Sequence, residues 1–104
     1  MSNTFRITVD RDESCTVLTM FGYLDIATSQ ELQDAVATLD DSVRGIVLDL
    51  AGVDFIDSSG LRALLDVERV ATAADRTFSI VRPSANAVRL MEMTGLLEAL
   101  HVQR

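Results

Sequence analysis

The fold of this chain is decided by residues 45–61, which read GIVLDLAGVDFIDSSGL. Residues 46–50 form a nearly continuous apolar run, and such runs are typical of a strand covered on both faces by helices. The polar residues 57–60 follow, and apolar residues then recur at helical spacing from 61 to 74. The stretch therefore predicts a buried strand, a short polar turn and a helix that begins just after the turn and packs on the sheet.

Two patterns precede this stretch and predict a hairpin followed by a helix. Apolar and polar residues alternate over residues 5–10 and again over 15–21, which indicates two strands. The polar link between them is short enough for antiparallel pairing. Thr28 and Glu31 then have the spacing of a capping box, which predicts the start of an amphipathic helix.

A further strand and helix are predicted toward the C-terminus. Residues 77–81 are typical of a strand, and Pro83 followed by Ser84 indicates the start of a helix that continues through Met93. Gly95 is expected to end that helix in a left-handed conformation. The tail that follows, up to residue 102, fits either a short helix or an edge strand.

The predicted element order is β-β-α-β-α-β-α plus a tail, the pattern of a single α/β domain over residues 1–104. It implies a mixed sheet that begins with an antiparallel hairpin and carries helices joined by right-handed crossovers. The 104 residues suffice for one hydrophobic core and are too few for two.

The composition excludes several classes of function. The net charge is −7, and all nine basic residues are arginines. A surface this acidic repels phosphate backbones, so no direct contact with nucleic acid is expected. Without lysine there can be no Walker-type phosphate loop, no Schiff base and no lysine general base. No apolar run approaches the ~20 residues that a membrane span requires, and the first 13 residues lack the apolar stretch of a signal peptide, so we expect a cytoplasmic protein that does not enter membranes.

Cysteine and histidine are equally scarce. Cys15 is the only cysteine and His101 the only histidine, so neither an intramolecular disulfide nor a Cys/His zinc site can form within the chain. Cys15 falls in a predicted strand, where we expect a small buried thiol, with an intermolecular redox role as the alternative. No metal or other cofactor is expected.

The turn at residues 57–60 is the strongest candidate for a functional site. Asp and Ser at a strand–helix junction can accept hydrogen bonds from the first free N–H groups of the helix, so a simple helix cap is one interpretation. Two serines after Asp57 exceed what one cap requires, which leaves a hydroxyl to face solvent. A helix N-terminus also stabilises negative charge, so a phosphoserine with its added charge of about −1.5 to −2 would be tolerated there.

Asp25 ends the second predicted strand and is a second candidate. If that strand pairs beside the central one, Asp25 lies close to Asp57 and Ser58. A phosphate on Ser58 would then be repelled by both carboxylates, which would alter a binding face without unfolding the domain. The alternative interpretation of Asp25 is a turn residue before the first helix.

Several segments, taken in order, resemble the STAS domain of bacterial anti-sigma factor antagonists. These segments are residues 22–25, 45–50, 55–61, 88–91 and 93–96. The resemblance extends over nearly the whole chain. Tyr23 departs from the family pattern, because many relatives carry a polar or acidic residue there, a difference that bears on partner choice and leaves the site intact.

The resemblance implies a switch and not an enzyme. In that family the first serine after the aspartate is phosphorylated, which corresponds to Ser58 here, and the second hydroxyl position corresponds to Ser59. The strand-end aspartate implicated in kinase contact corresponds to Asp25. The implied partner is an anti-sigma factor with serine kinase activity, which the unphosphorylated protein binds so that a sigma factor is released. ATP and magnesium belong to the kinase, and a phosphatase resets the switch.

The binding face implied by the resemblance combines the strand end with the polar turn. It comprises Asp25, Asp57, Ser58, Ser59, Gly60 and Leu61, together with the start of the first helix. At its rim, Arg62 and Arg89 are candidate contacts. Met93 could add an adaptable apolar contact, whereas Met91 is expected in the core.

Other classes of function fit the residues less well. A serine hydrolase needs a Gly-x-Ser-x-Gly motif, which does not occur, and His101 lies too near the C-terminus to hold a catalytic base. A magnesium site like that of response-regulator receiver domains could use Asp49, Asp54 and Asp57. That class also needs an acidic pair after the first strand and a lysine after the last, and the chain has no lysine, so we reject it. The alternative function is a STAS module that serves as a small regulatory or scaffold subunit of a transporter or of a stress-signalling complex.

Overall fold

The computed structural model describes residues 5–12 and 15–103, and it confirms the α/β class and the predicted element order. The polar link at residues 13–14 lies outside the described residues. The elements are β1 (Arg6–Asp12), β2 (Cys15–Leu24), α1 (Ser29–Ala37), β3 (Gly45–Ile56), α2 (Ser58–Ala73), β4 (Thr77–Val81), α3 (Ala85–Thr94) and β5 (Val102–Gln103).

The strands form one mixed sheet in the order β1-β2-β3-β4-β5. β1 and β2 pair antiparallel, from Arg6 opposite Phe21 to Asp12 opposite Cys15, which confirms the predicted hairpin. The remaining neighbours, from β2 to β5, are parallel. Because β2 and β3 are adjacent and parallel, their carboxyl ends meet at one edge of the sheet, and α1 and α2 begin just beyond that edge.

The hydrophobic core lies on one face of this sheet. Burial alternates along β2, so that Leu18, Met20 and Leu24 are fully buried while Val17 and Phe21 on the opposite face are only half-buried. The buried side chains of all three helices belong to the same cluster as these core-facing residues. The protein therefore has two layers, a helical layer and a sheet whose second face is open.

The expectation that helices cover both faces of the strand at residues 46–50 was wrong. Val47 is half-buried on the open face, where neighbouring strands shield it, and Asp49 on that face is 2% exposed. Arg82 covers Asp49 through an ion pair with Oδ2 and a 3.3 Å hydrogen bond from Nε to Oδ1. Arg82, at the end of β4, thus shields Asp49 from solvent on the face that helices were expected to cover.

Asp49 is expected to make stability depend on pH. The hydrogen bond from Arg82, assisted by one from the Ala51 N–H, holds the pKa of Asp49 below its ordinary value although burial opposes this. A carboxyl whose pKa is lower in the folded than in the unfolded state stabilises the fold above pH ~4, and this contribution is lost as the pH falls through the folded pKa. We expect Asp49→Asn to lower the free energy of unfolding by about 2 kcal/mol at neutral pH and by progressively less below pH 4.

Urea titrations followed by circular dichroism measure this pH dependence. Asp10→Asn, which changes an exposed carboxylate on β1, is the matched control and should leave stability nearly unchanged at every pH. If the free energy of unfolding differed between wild type and Asp49→Asn by the same amount down to pH ~2, the charge of Asp49 would not be the source of its contribution to stability.

Thr16 places a hydroxyl in the core without a visible partner. Its side chain is 0% exposed, and Oγ1 makes no hydrogen bond to any residue that the structure describes. A buried hydroxyl left unsatisfied costs about 1–3 kcal/mol, so the nearly isosteric change Thr16→Val should raise the free energy of unfolding by about 1 kcal/mol. Urea titration measures this change, with the exposed Thr8→Val as control; a loss of stability in Thr16→Val would contradict the prediction.

The start of α1 differs from the sequence prediction. The Thr28 side chain makes no cap hydrogen bond to the helix, so the predicted capping box with Glu31 was wrong. The Thr28 hydroxyl instead donates to the Tyr23 carbonyl at 2.8 Å and accepts from the Asp25 N–H at 3.0 Å. Thr28 therefore fixes the turn that leaves β2.

The C-terminal elements agree more closely with their prediction. β4 has the predicted bounds, and Ser84 caps α3 by accepting from the Ala87 N–H at 3.2 Å. Gly95 ends α3 with φ of 75°, as expected. The tail forms a turn and then a two-residue edge strand parallel to β4. Cys15 is half-buried and not fully buried. Among the described residues, no helix has the length and apolar character needed to cross a membrane.

Candidate functional site

The polar turn at residues 57–60 lies at the carboxyl end of β3, but α2 begins earlier than the sequence predicted. Asp57 is the N-cap, and Ser58, Ser59 and Gly60 form the first helical turn instead of a preceding loop. Asp57 Oδ1 accepts from the Gly60 N–H at 2.9 Å, which confirms the cap interpretation of Asp57. Because the aspartate alone supplies the cap, neither serine hydroxyl is needed for it.

The two serines differ in their surroundings. Ser58 is exposed, and neither its hydroxyl nor its N–H is hydrogen-bonded within the part of the chain that the structure describes. Ser59 is half-buried, and its carbonyl oxygen accepts from the Ser29 hydroxyl at 3.3 Å. Ser58 is therefore the more accessible of the two hydroxyls.

Gly60 brings the first turn of α2 into contact with the end of β2. A Cβ atom at Gly60 would lie 2.2 Å from the Leu24 carbonyl oxygen and 2.8 Å from its carbonyl carbon. The Asp57 N–H donates to the same carbonyl oxygen at 3.3 Å, and Leu24 is the register partner of Ile56. One backbone group of β2 thus contacts both the cap and the first turn of α2.

Asp25 directly follows Leu24, so it lies at the same edge of the sheet as Asp57, as predicted for adjacent strands. Its Oδ1 accepts from the N–H groups of Ala27 and Thr28 at 3.0 and 3.2 Å, which makes it a turn residue as well. Its carbonyl oxygen accepts from the Ser29 hydroxyl at 2.6 Å. The interpretation of Asp25 as a turn residue is therefore confirmed, and its role in a partner contact stays a prediction.

Ser29 links the two halves of the site. The start of the first helix was expected in the binding face, but Ser29 itself was not named from the sequence. Its hydroxyl lies within hydrogen-bond distance of the carbonyl oxygens of Asp25 and Ser59, which are at 2.6 and 3.3 Å. Its position at the start of α1 was visible in the sequence, but its contact with the turn of α2 depends on the pairing of β2 with β3.

Three exposed apolar side chains belong to the same edge of the sheet. Tyr23 and Phe55 are register partners on the open face, 42% and 43% exposed, and their ring centroids are 5.5 Å apart. Ile26, in the turn after β2, is 78% exposed. Gly22 has φ of 103° where the β2–β3 register shifts before Tyr23, a backbone conformation that favours glycine. Tyr23 and Phe55 lie in the segments that carry the family resemblance, whereas Ile26 was not identified from the sequence.

The other candidates divide between the core and the surface. Leu61 is 4% exposed, so the structure places its side chain in the core and not on the binding face. Met91 is 0% exposed, which confirms its predicted place in the core. On the surface, Met93 is 76% exposed, and Arg62 and Arg89 are exposed on α2 and α3.

Comparisons with known proteins agree with this arrangement. The family model of the STAS domain matches residues 6–104. The anti-sigma-B factor antagonist of Staphylococcus aureus is 32% identical over 82 residues, which are 78% of this chain and 76% of that protein. The crystal structure of an anti-sigma factor antagonist from Mycobacterium paratuberculosis gives a TM-score of 0.84 at 25% identity and covers 95% of this chain and 85% of its own. The Bacillus cell fate determinant SpoIIAA in its phosphorylated form has the same fold, with a TM-score of 0.70 at 23% identity over 96% of this chain and 89% of its own.

Proposed function

Because this chain belongs to the STAS domain family, we propose that it is an anti-sigma factor antagonist switched off by phosphorylation of Ser58. In its unphosphorylated form it binds an anti-sigma factor that is also a serine kinase, and a sigma factor is released. The kinase then transfers a phosphoryl group to Ser58 and the complex dissociates, until a phosphatase restores the hydroxyl. The similarity to proteins named as antagonists of anti-sigma factors supports this role.

The observation that carries the proposal is the exposed Ser58 hydroxyl at the first position of α2. In the transfer, the Ser58 oxygen forms a bond to the γ-phosphorus of ATP, the bond to the leaving ADP breaks, and the hydroxyl proton passes to a base of the kinase. This chain supplies only the accepting hydroxyl. ATP, magnesium and the base belong to the kinase.

The position of Ser58 lets the fold tolerate a phosphate. The N–H groups of Ser58 and Ser59 make no hydrogen bond to described residues, and together with the helix dipole they favour a negative charge at this point. The carboxylates of Asp57 and Asp25 oppose it through repulsion between like charges. The added charge of about −1.5 to −2 therefore changes the binding surface while leaving α2 in place.

Phosphosite mapping tests the proposal. The purified protein is incubated with magnesium, ATP and each purified serine-kinase anti-sigma factor of the organism that encodes it, and the product is analysed by mass spectrometry. We expect one phosphate on Ser58, none on Ser58→Ala and wild-type modification of Ser59→Ala. A phosphate on Ser59, or a chain that none of these kinases modifies, would overturn the assignment.

The binding partner distinguishes the proposal from the alternative of a transporter or scaffold subunit. An antagonist should retain an ATP-binding kinase in a pull-down, and Ser58→Asp should abolish that retention. A subunit of a transporter would instead retain membrane proteins, and Ser58→Asp would leave this binding unchanged.

A further inference from the structure

The exposed apolar side chains Tyr23, Ile26 and Phe55, here called the apolar patch, are not explained by the fold. The core lies on the opposite face of the sheet, and none of the three belongs to the buried cluster. Tyr23 and Phe55 lie side by side on neighbouring strands, so their rings form one continuous surface instead of two isolated exposed residues. Contiguous apolar surface of this kind is typical of a region that another molecule covers.

The apolar patch is bordered by acidic residues. Asp54 is exposed and precedes Phe55, while Asp25 and Asp57 lie at the adjacent strand ends. The segments that carry the patch, residues 22–28 and 53–60, contain no basic residue. On the β1 side of the patch, the Arg6 guanidinium lies 4.8 Å from the ring of Phe21, two residues before Tyr23. A matching surface is therefore expected to have an apolar centre with arginine or lysine opposite the three aspartates, and the net charge of −7 disfavours nucleic acid.

The patch is also close to Ser58. Phe55 precedes Ser58 by three residues, so their Cα atoms are at most about 11 Å apart. A protein interface of standard size buries about 800 Å² on each partner, an area with a radius of roughly 16 Å. An interface of that size that includes Ser58 can therefore also include Phe55 and the Tyr23 ring that packs beside it.

We propose that the apolar patch is the surface on which the anti-sigma kinase docks, and that the kinase meets it with an apolar surface bordered by basic residues. This inference rests on the proposed function and adds the chemistry of the partner. Tyr23 and Phe55 anchor the complex, because aromatic side chains dominate the energetics of protein interfaces. Ser58 enters the nucleotide site at the edge of this contact.

Binding measurements on point variants test the inference. The probe is the purified anti-sigma kinase that phosphorylates the wild-type protein. We expect Tyr23→Ala to raise the Kd at least tenfold, because it removes one anchor residue of the interface. Ile26→Ser should raise the Kd about fivefold. KM for Ser58 phosphorylation should rise in parallel, with kcat nearly unchanged, because the patch binds the kinase and takes no part in the transfer.

Val70→Ala is the matched control. Val70 is 56% exposed and lies on α2 about 18 Å along the helix from Ser58, so its Kd should stay within about twofold of wild type. Thermal melting confirms that each variant is folded. Ile26→Ser decides the question if Tyr23→Ala does not fold, because Ile26 lies in a turn and is almost fully exposed.

The outcomes separate this inference from the function on which it rests. Wild-type Kd and KM in the folded patch variants, with Ser58 still phosphorylated, would overturn the docking surface and leave the antagonist function standing. A wild-type protein that neither binds nor is phosphorylated by any of these kinases would overturn both. An equal loss of binding in Val70→Ala would also overturn the inference, because the effect would then not be specific to the patch.

Discussion

Gly60→Ala is expected to destabilise the protein by at least about 3 kcal/mol. The added Cβ would lie 2.2 Å from the Leu24 carbonyl oxygen, which is a backbone atom of a central strand and cannot rotate away as a side chain can. Helix propensity alone predicts the opposite sign, since alanine favours a helix over glycine by about 1 kcal/mol. The free energy of unfolding from urea titration measures the effect.

Gly95→Ala is the control for the loss of glycine itself. Gly95 has φ of 75° and nothing within 4 Å of the added Cβ, so alanine there introduces backbone strain of about 1–2 kcal/mol without a steric clash. If Gly60→Ala cost no more than Gly95→Ala, the contact between α2 and Leu24 would not constrain the structure as described.

On the proposed function, Ser58→Asp is expected to weaken binding to the anti-sigma kinase at least tenfold, or about 1.4 kcal/mol, while the domain stays folded. The carboxylate would bring a permanent negative charge beside Asp57 and against the phosphates of the nucleotide that the kinase binds. The same charge lies at the N-terminus of α2, where it stabilises the helix by about 0.3–1 kcal/mol. Calorimetric titration for binding and urea titration for stability separate the two effects.

Ser58→Ala is the matched control for this prediction. It removes the accepting hydroxyl without adding charge, so the variant should bind the kinase as the wild type does and should escape inactivation in the presence of ATP. Unaltered binding of Ser58→Asp would show that charge at residue 58 does not operate the switch.

Much of the fold could be predicted because local patterns and packing agree. Apolar and polar residues alternate along β2 because only one face of that strand is buried. The sequence also predicted both ends of β4 correctly. The adjacency of Asp25 and Asp57 was predicted only on condition that β2 and β3 pair, which the register of Leu24 with Ile56 fulfils.

The remaining features depend on contacts between segments that are distant in sequence. The Thr28 hydroxyl forms hydrogen bonds with backbone groups at the end of β2 and does not cap the helix that it precedes. A polar pair such as Ser58 and Ser59 was interpreted as loop, because their place in the first helical turn depends on the cap and on the contact of Gly60 with Leu24. The contact of Arg82 with Asp49 likewise joins residues from two strands, and no pattern in the sequence around either residue predicts it.

The contacts of Gly60 and Asp57 with the Leu24 carbonyl hold the start of α2 against the end of β2. Asp25 and Ser58 come from segments more than thirty residues apart, and only the folded sheet holds them together. A peptide cut from residues 53–65 would carry Ser58 without Tyr23 or Asp25, and helices of that length are marginal in water. On the proposed function, the surface that the kinase reads is a conformational epitope. Only folded molecules would then bind the kinase and be phosphorylated. Nascent or damaged chains, which lack this surface, would not contribute to the release of the sigma factor.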